Sequence, residues 1–360
     1  MDEMTFFTTL LQEYDDLEAI TQHQPSESSA SEGCLVYHLR HEDGTTWVAR
    51  AYQRDRLLPD WFRFFYPWAT PDTAEWVWTR AATLLCLELQ NYPAPRVLRT
   101  RAGALLSQTP EWCMIITTFI QGAVLQPTLG QLQLLGRNLG SLHALSPSKL
   151  SSNTLSPGKS YWDAEYAFST VQAHLASVEP RLPAEWRSLH SEFTQTLQRL
   201  AQCPFLPRTV IHGDAWAANA VQISTDQAIL IDWDTSGWGP AILDLGRLLL
   251  ECHLDSDLPP HDPLAWHIQP DVHRIAAVVD GYAQQRRPTA AELDLLLDAL
   301  RFGIAFIGTL HFTQALQDGT HSPEWMRGMQ RRLARLQNRW KVSSEIASLA
   351  RQRFVNVGIR

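Results

Sequence analysis

The chain has little that would tie it to a membrane, an oxidising compartment or a nucleic acid. The longest charge-free apolar stretch of its C-terminal part, Phe302 to Gln317, is interrupted by Gly303, Gly308, His311 and Gln314. It falls short of the roughly 20 mostly apolar residues that a spanning helix needs, so it reads as a buried helix of a soluble protein. The opening MDEMTFFTTLLQEYDDLEAI is acidic and shows neither a basic start nor a small-residue cleavage site, so no export signal is expected. The five cysteines, Cys34, Cys86, Cys113, Cys203 and Cys252, are odd in number and lack paired spacing. This argues against a disulfide framework and fits a reduced, cytoplasmic protein. With a formal charge of −8, the chain also lacks the surplus of Lys and Arg that wrapping nucleic acid requires. No internal repeat is apparent, and no particular oligomeric state is signalled.

What is present is the composition of an ordinary globular protein, 45% hydrophobic and 19% charged over 360 residues. That length suffices for two lobes, each with its own core. Residues 5 to 20 read as a short amphipathic helix, followed by a polar segment, TQHQPSESSASEG. CLVYHL and TTWVARAY flank an Asp43-Gly44 turn and predict a hairpin. Trp61, Phe62, Phe64, Phe65, Tyr66 and Trp68 form an aromatic cluster, suited to packing, an interface or a substrate lid. A helix is expected from Pro71 to Gln90, capped by Thr70 and stopped by the Tyr92-Pro93-Ala94-Pro95 segment. Pro95 to Leu98 and Trp112 to Ile120 complete the strands.

From there helices dominate. Residues 129 to 145 are helical, with Gly136 and Gly140 one turn apart where a neighbour can approach closely, and His143 is read as a packed residue. Residues 146 to 160 are a loop by composition, and further helices are expected near 183–202, 240–253, 270–286, 291–317 and 323–352. Arg327, Arg331, Arg335 and Arg339, spaced by four, put a basic stripe on the last helix, read as a solvated face or as a contact for an acidic partner or a membrane surface. The fold class is α+β: a small strand-rich N-terminal lobe with one main helix, and a larger, mostly helical lobe. The expected divisions are an N-terminal extension 1–26, a nucleotide-binding lobe 27–120, a catalytic and substrate-binding lobe 121–322, and a C-terminal basic helix 323–360.

The chemistry is concentrated in VIHGDAWAANAVQ, residues 210 to 222, and AILIDWDTSGWG just after it. On a loop following a strand, Asp214 can orient a substrate hydroxyl, and Asn219 can hold a metal near the same point. Val221, Ile223, Ile229 and Ile231 alternate about a Ser224-Thr225-Asp226 turn. A hairpin there returns Asp232 to the loop it left, so Asp214, Asn219 and Asp232 converge. Oxygen ligands of this kind suit Mg²⁺ completed by phosphate oxygens, and phosphoryl transfer needs mainly positioning and charge neutralisation.

The spacing His212-Gly213-Asp214-x-x-x-x-Asn219 is that of the protein-kinase catalytic loop, with glycine in place of arginine. Together with ILIDWDTSGWGP, ILDLGRLLLE and LGRNLGSLHAL, it resembles the aminoglycoside phosphotransferase and choline kinase family, small-molecule kinases with a protein-kinase-like bilobal fold. The resemblance spans about residues 27 to 320. It implies that Asp214 is the catalytic aspartate, that Asn219 and Asp232 are metal ligands, and that Asp234 is a second acid near metal or substrate. His212 and Asp244 would brace the loop, and Trp233 and Trp238 would pack.

On the nucleotide side the resemblance implies phosphate contact by Arg50, which stands where the family usually has lysine, and base contact by the hinge Thr118, Phe119 and Ile120. The helix glutamate that partners this position would fall near Arg80. Two arginines facing each other would repel, so either Glu75, more than a turn earlier, swings in through a shifted helix or another acid serves. Arginine keeps the charge and binds phosphate bidentately.

The implied function is a Mg²⁺-dependent transfer of the γ-phosphate of ATP or GTP to a hydroxyl of a small molecule, aminoglycoside-, choline- or related metabolite-like. The alternative is a pseudokinase or nucleotide-binding scaffold. Tyr161, Trp162, Tyr166 and Trp266 could hold a quaternary ammonium, or Asp163, Glu165, Glu251, Asp255 and Asp257 the amines of an aminoglycoside. Cys252, His253, His261, His267 and His273 crowd one region without a zinc spacing.

Overall fold

The computed structural model describes residues 9, 11–14, 20–25, 34–54, 73–146, 160, 176, 182, 184–203, 206–254, 268–317 and 323–358. These fall into two compact units divided between Gln121 and Gly122. The aromatic segment 61–68 lies outside the described residues.

In unit 1 the elements are β1 (Ile20–Pro25), β2 (Cys34–His41), β3 (Thr46–Gln53), α1 (Thr73–Leu89), β4 (Ser107–Gln108) and β5 (Trp112–Thr118). The strands form one antiparallel sheet in the order β1-β2-β3-β5-β4. The β2–β3 turn follows from its residues: Gly44 takes φ 87°, and Asp43 Oδ1 accepts from Thr45 N at 2.8 Å. Alternation then sorts the side chains. Tyr37, Leu39, Ala49, Ala51, Met114 and Ile116 gather with Leu98 and fully buried Tyr14 in one core. The register pairs Arg50 with Val36 and Ile115, and Val48 with His38 and Thr117. These residues therefore occupy the other face. On that face Tyr52 meets Trp76 of α1 edge-on, with ring centroids 5.0 Å apart.

Two expectations change in this unit. The helix expected over 5–20 has already turned at Gln12 and Glu13, and Ile20 begins a strand. Part of the polar segment is that strand, at the edge of the sheet, where polar residues and a terminal proline are tolerated. Pro95 to Leu98 contributes only a single bridge, Val97 to Thr117.

Unit 2 contains β6 (Ala123–Val124), α2 (Leu129–His143), α3 (Ala184–Ala201), β7 (Arg208–Ile211), β8 (Ala220–Gln222), β9 (Ala228–Leu230), β10 (Gly237–Pro240), α4 (Ala241–Glu251), α5 (Val272–Ala283), α6 (Ala290–Asp294), α7 (Leu296–Gln317) and α8 (Pro323–Gly358). Two small antiparallel sheets, β6-β8-β9 and β10-β7, frame the candidate site. Helices α2 and α5 approach at glycines: a Cβ on Gly281 would stand 1.9 Å from Gln133 O, and one on Gly136 would stand 2.3 Å from Val278 O. The helix expected over 291–317 is two helices joined at Leu295, the first started by a capping box of Thr289 and Glu292. Phe302, Ile304 and Ala305 of α7 are buried, and among the described residues no helix is long and apolar enough to cross a membrane.

Candidate active site

Strand β7 delivers the chain to His212, and Gly213 then turns it with φ 83°, a conformation that side-chain-bearing residues rarely adopt. Asp214 follows, half-buried. One 3₁₀ turn, Ala217–Asn219, leads into β8, and Asn219 Nδ2 donates to Asp214 O at 2.9 Å and to Asp214 Oδ2 at 2.8 Å. The β8–β9 hairpin pairs Val221 with Ile229, and beyond it Ile231 N donates to Asn219 O at 2.9 Å. Asp232 is thereby set beside the loop. Its backbone is left-handed, φ 62° and ψ 62°, a strain of about 1 kcal/mol or more that Asp tolerates better than most residues. Asp214, Asn219 and Asp232 are thus brought together, with half-buried Asp234 in the next 3₁₀ turn, Trp233–Thr235.

The loop is held from behind by buried groups. Asp244 accepts from His212 N at 2.6 Å and from Gly213 N at 2.8 Å, and His143 Nε2 lies 3.2 Å from the same carboxylate. Burial alone would raise the Asp244 carboxyl; the hydrogen bonds it receives from the His143 ring and from the His212 backbone hold it below the usual range. Burial pushes the His143 imidazole down, so the neutral ring donates from Nε2 to Asp244 and accepts at Nδ1 from the Tyr282 hydroxyl, 2.9 Å away. His212 Nε2 donates to Ile231 O at 2.8 Å, and its ring packs edge-on to Trp233.

One residue in contact with Asp214 has no counterpart among the sequence expectations. Arg247 of α4 donates to Asp214 Oδ1 at 2.9 Å, and its other terminal nitrogen lies 3.1 Å from Glu251. The available signal was an arginine and a glutamate four apart inside the apolar run ILDLGRLLLE. Glu251 also takes Arg339 through both oxygens, at 3.0 and 3.2 Å. Burial alone would raise this carboxyl; Arg247 and Arg339 outweigh that and hold it below the usual range. Two expectations are corrected here. Glu251 is a buried, doubly paired carboxylate, not one open to an amine, and Arg339 leaves the solvated face of the basic stripe while Arg327 and Arg331 stay exposed.

In unit 1, Arg50 is half-buried on the sheet face opposite the Tyr14 core. Arg80 of α1 is buried and stacks on Trp76, 5.4 Å from the ring centroid. Glu75 is exposed in the first turn of α1, beside a groove of about 570 Å³ lined also by Trp78, Arg99 and Gln108. Thr118 Oγ1 accepts from Arg96 N at 2.9 Å, and Phe119 N donates to Thr46 O at 3.1 Å. Phe119 borders a hollow of about 380 Å³ with His38, Arg40, Thr46 and Gln121, and half-buried Ile120 follows it. Among the described residues no group of three or more His, Cys, Asp or Glu side chains could hold a metal. His261 and His267 lie outside them, as do Tyr161, Trp162, Asp163, Glu165, Tyr166, Asp255, Asp257 and Trp266.

Residues 35–293, well over half of the chain, match the model of the phosphotransferase enzyme family. The chain belongs to this family. Among curated proteins, no sequence matches this phosphotransferase. Its fold is shared with solved structures. An amicoumacin kinase in complex with AMP-PNP, Ca²⁺ and Ami superposes with a TM-score of 0.66 at 15% identity, covering 94% of each chain. A choline/ethanolamine kinase family protein from Mesorhizobium loti gives 0.59 at 16%, over 97% of this chain and 99% of that one. Spectinomycin phosphotransferase, in complex with ADP and spectinomycin, gives 0.54 at 16%, over 98% and 99%. At these identities the likeness is one of fold: the small-molecule kinase architecture, α+β, with a small antiparallel sheet and a mostly helical remainder.

Proposed function

We propose that this phosphotransferase moves the γ-phosphoryl group of ATP or GTP, with Mg²⁺, to a hydroxyl of a small molecule of the aminoglycoside, choline or related metabolite type. The observation that carries the reading is the Asp214 carboxylate, with one oxygen on Asn219 Nδ2 and the other on Arg247, beside the end of the strand that delivers Asp232. Asp214 accepts the proton of the acceptor hydroxyl as the new O–P bond forms; the bond from the γ-phosphorus to the β–γ bridging oxygen breaks, and the nucleoside diphosphate leaves.

A hard cation fits the donor set. Asn219 spends its Nδ2 on Asp214, which leaves its Oδ1 for a metal, and Asp232 adds a carboxylate. An ion that keeps nucleotide oxygens and water in its shell needs few protein ligands. Asn219 and Asp232 would hold Mg²⁺, with Asp234 a further acid near it. Bound there, the ion would neutralise charge on the transferring phosphates.

We assign the phosphate contact to Arg50, with Glu75 as its acid, and the base contact to Thr118, Phe119 and Ile120. Residues 27–120 then serve the nucleotide and 121–322 serve catalysis and the acceptor, flanked by 1–26 and 323–360. The AMP-PNP and ADP held by two of the structural neighbours support a nucleotide donor.

The test is calorimetric titration with ATP and with GTP, each with and without Mg²⁺, followed by nucleoside diphosphate release in the presence of candidate hydroxyl acceptors. Asp214→Ala is expected to abolish turnover and keep nucleotide binding, and Asp232→Ala to weaken binding of the magnesium–nucleotide complex as well. Full activity in Asp214→Ala would overturn the assignment. Magnesium-dependent binding without turnover of any acceptor would favour the scaffold reading instead.

A further inference from the structure

The Asp214 carboxylate is gripped from two sides. Asn219 Nδ2 donates to Oδ2 at 2.8 Å, and Arg247 Nη2 to Oδ1 at 2.9 Å. Arg247 is no ordinary surface partner: its side chain is 13% exposed, and its Nη1 stands 3.1 Å from Glu251, one turn further along α4. Glu251, 2% exposed, is bound in turn by both terminal nitrogens of Arg339 on α8. Two carboxylates and two guanidinium groups therefore alternate from the loop to the last helix: Asp214, Arg247, Glu251, Arg339.

Stability alone is a poor reason for this chain. Desolvating buried ion pairs costs about as much as their attraction returns, and apolar residues of similar volume often do better. The rest of α4 shows that alternative in Ile242, Leu243, Leu245, Leu248, Leu249 and Leu250, all buried. What the ionic chain supplies is direction. A guanidinium is a rigid planar fork, so fixing Nη1 on Glu251 aims Nη2. Aspartate χ2 is otherwise broad, and a carboxylate engaged at both oxygens keeps a single orientation.

We propose that Arg247 is a positioning residue for phosphoryl transfer: it sets the rotation of the Asp214 carboxylate, while Glu251 and Arg339 anchor it to α8. The proposal rests on the role given to Asp214 above. An acceptor oxygen must meet one lone pair of that carboxylate, and a displacement of about 1 Å at such a point can cost about a hundredfold in rate.

The experiment uses the full chain and MgATP alone, with transfer to water read as ADP release, for the wild type and for Arg247→Ala, Arg247→Lys and Asp214→Asn. In Arg247→Ala, kcat is expected to fall by about tenfold or more while the KM for MgATP stays within about twofold, and millimolar guanidinium should restore part of the loss. Arg247→Lys keeps the charge without the fork and should remain impaired. If Asp214→Asn is inactive and Arg247→Ala turns over like the wild type, or its loss ignores guanidinium, the positioning role falls and the role of Asp214 stands. Wild-type turnover in Asp214→Asn would remove both. If hydrolysis is too slow to follow, denaturant midpoints of Arg247→Ala, Asp214→Asn and the double variant decide the matter: non-additive shifts support the grip, and additive shifts overturn it.

Discussion

Burial sets the protonation of His143. Asp244, Tyr282, Arg286 and Glu292 enclose it, and desolvation pushes the ring below the ordinary histidine range. A depressed pKa in the folded state means that the unfolded chain binds the proton more readily. Stability from this group is therefore complete above about pH 6.5 and is lost as pH falls through the folded value. His253, also depressed by burial, acts with the same sign. We expect the unfolding midpoint to drop between about pH 7 and pH 5, and His143→Gln to flatten that slope, as read by thermal unfolding across the range. Local chemistry of this kind was legible in the sequence where partners lie close in the chain. Asp214 and Asn219 are five apart, and the hairpin that returns Asp232 is written in alternating apolar residues. Arg247 was not legible, because its contact spans 33 positions and depends on which face of α4 meets the loop.

At the scale of elements, the α2–α5 crossing depends on missing side chains. Gly136 and Gly140 announced a close approach, but nothing in the sequence named α5 as the neighbour or Gly281 as its counterpart. Alanine suits a helix interior better than glycine by about 1 kcal/mol, yet at 281 its methyl would meet the Gln133 carbonyl at 1.9 Å. Backbone cannot yield as a flexible side chain does. Gly281→Ala should therefore destabilise by about 2 kcal/mol net, whereas Gly328→Ala, with nothing within 4 Å of the added Cβ, should stabilise slightly; denaturant melts of both would check this. Edge strands and helix breaks were the harder elements to read. The polar strand β1 is an edge strand among the described residues, and the break at Leu295 lies inside an unbroken apolar pattern.

At the scale of the whole molecule, α8 ties unit 2 together. Trp340 packs on Phe193 with centroids 5.1 Å apart and donates to Glu192, Arg353 holds Asp280 at 2.6 and 2.5 Å, and Arg339 closes on Glu251. Read alone, its arginines looked like a solvated stripe, because spacing shows which residues share a face and not what that face meets. Removing one partner of a buried pair costs about 3 to 5 kcal/mol, so Arg339→Ala should lower stability by about 3 kcal/mol while Arg327→Ala changes it by less than about 0.5 kcal/mol. Equal effects in denaturant melts would contradict this placement of Arg339. The Arg339–Glu251 contact also bears on how the protein is made. A ribosome completes the Asp214 loop and α4 well before it reaches α8, so Arg247 is available to Glu251 before Arg339 exists. One of the two charges that fix Glu251 therefore arrives only with the last helix, and the buried pairing behind the Asp214 loop is completed late in synthesis.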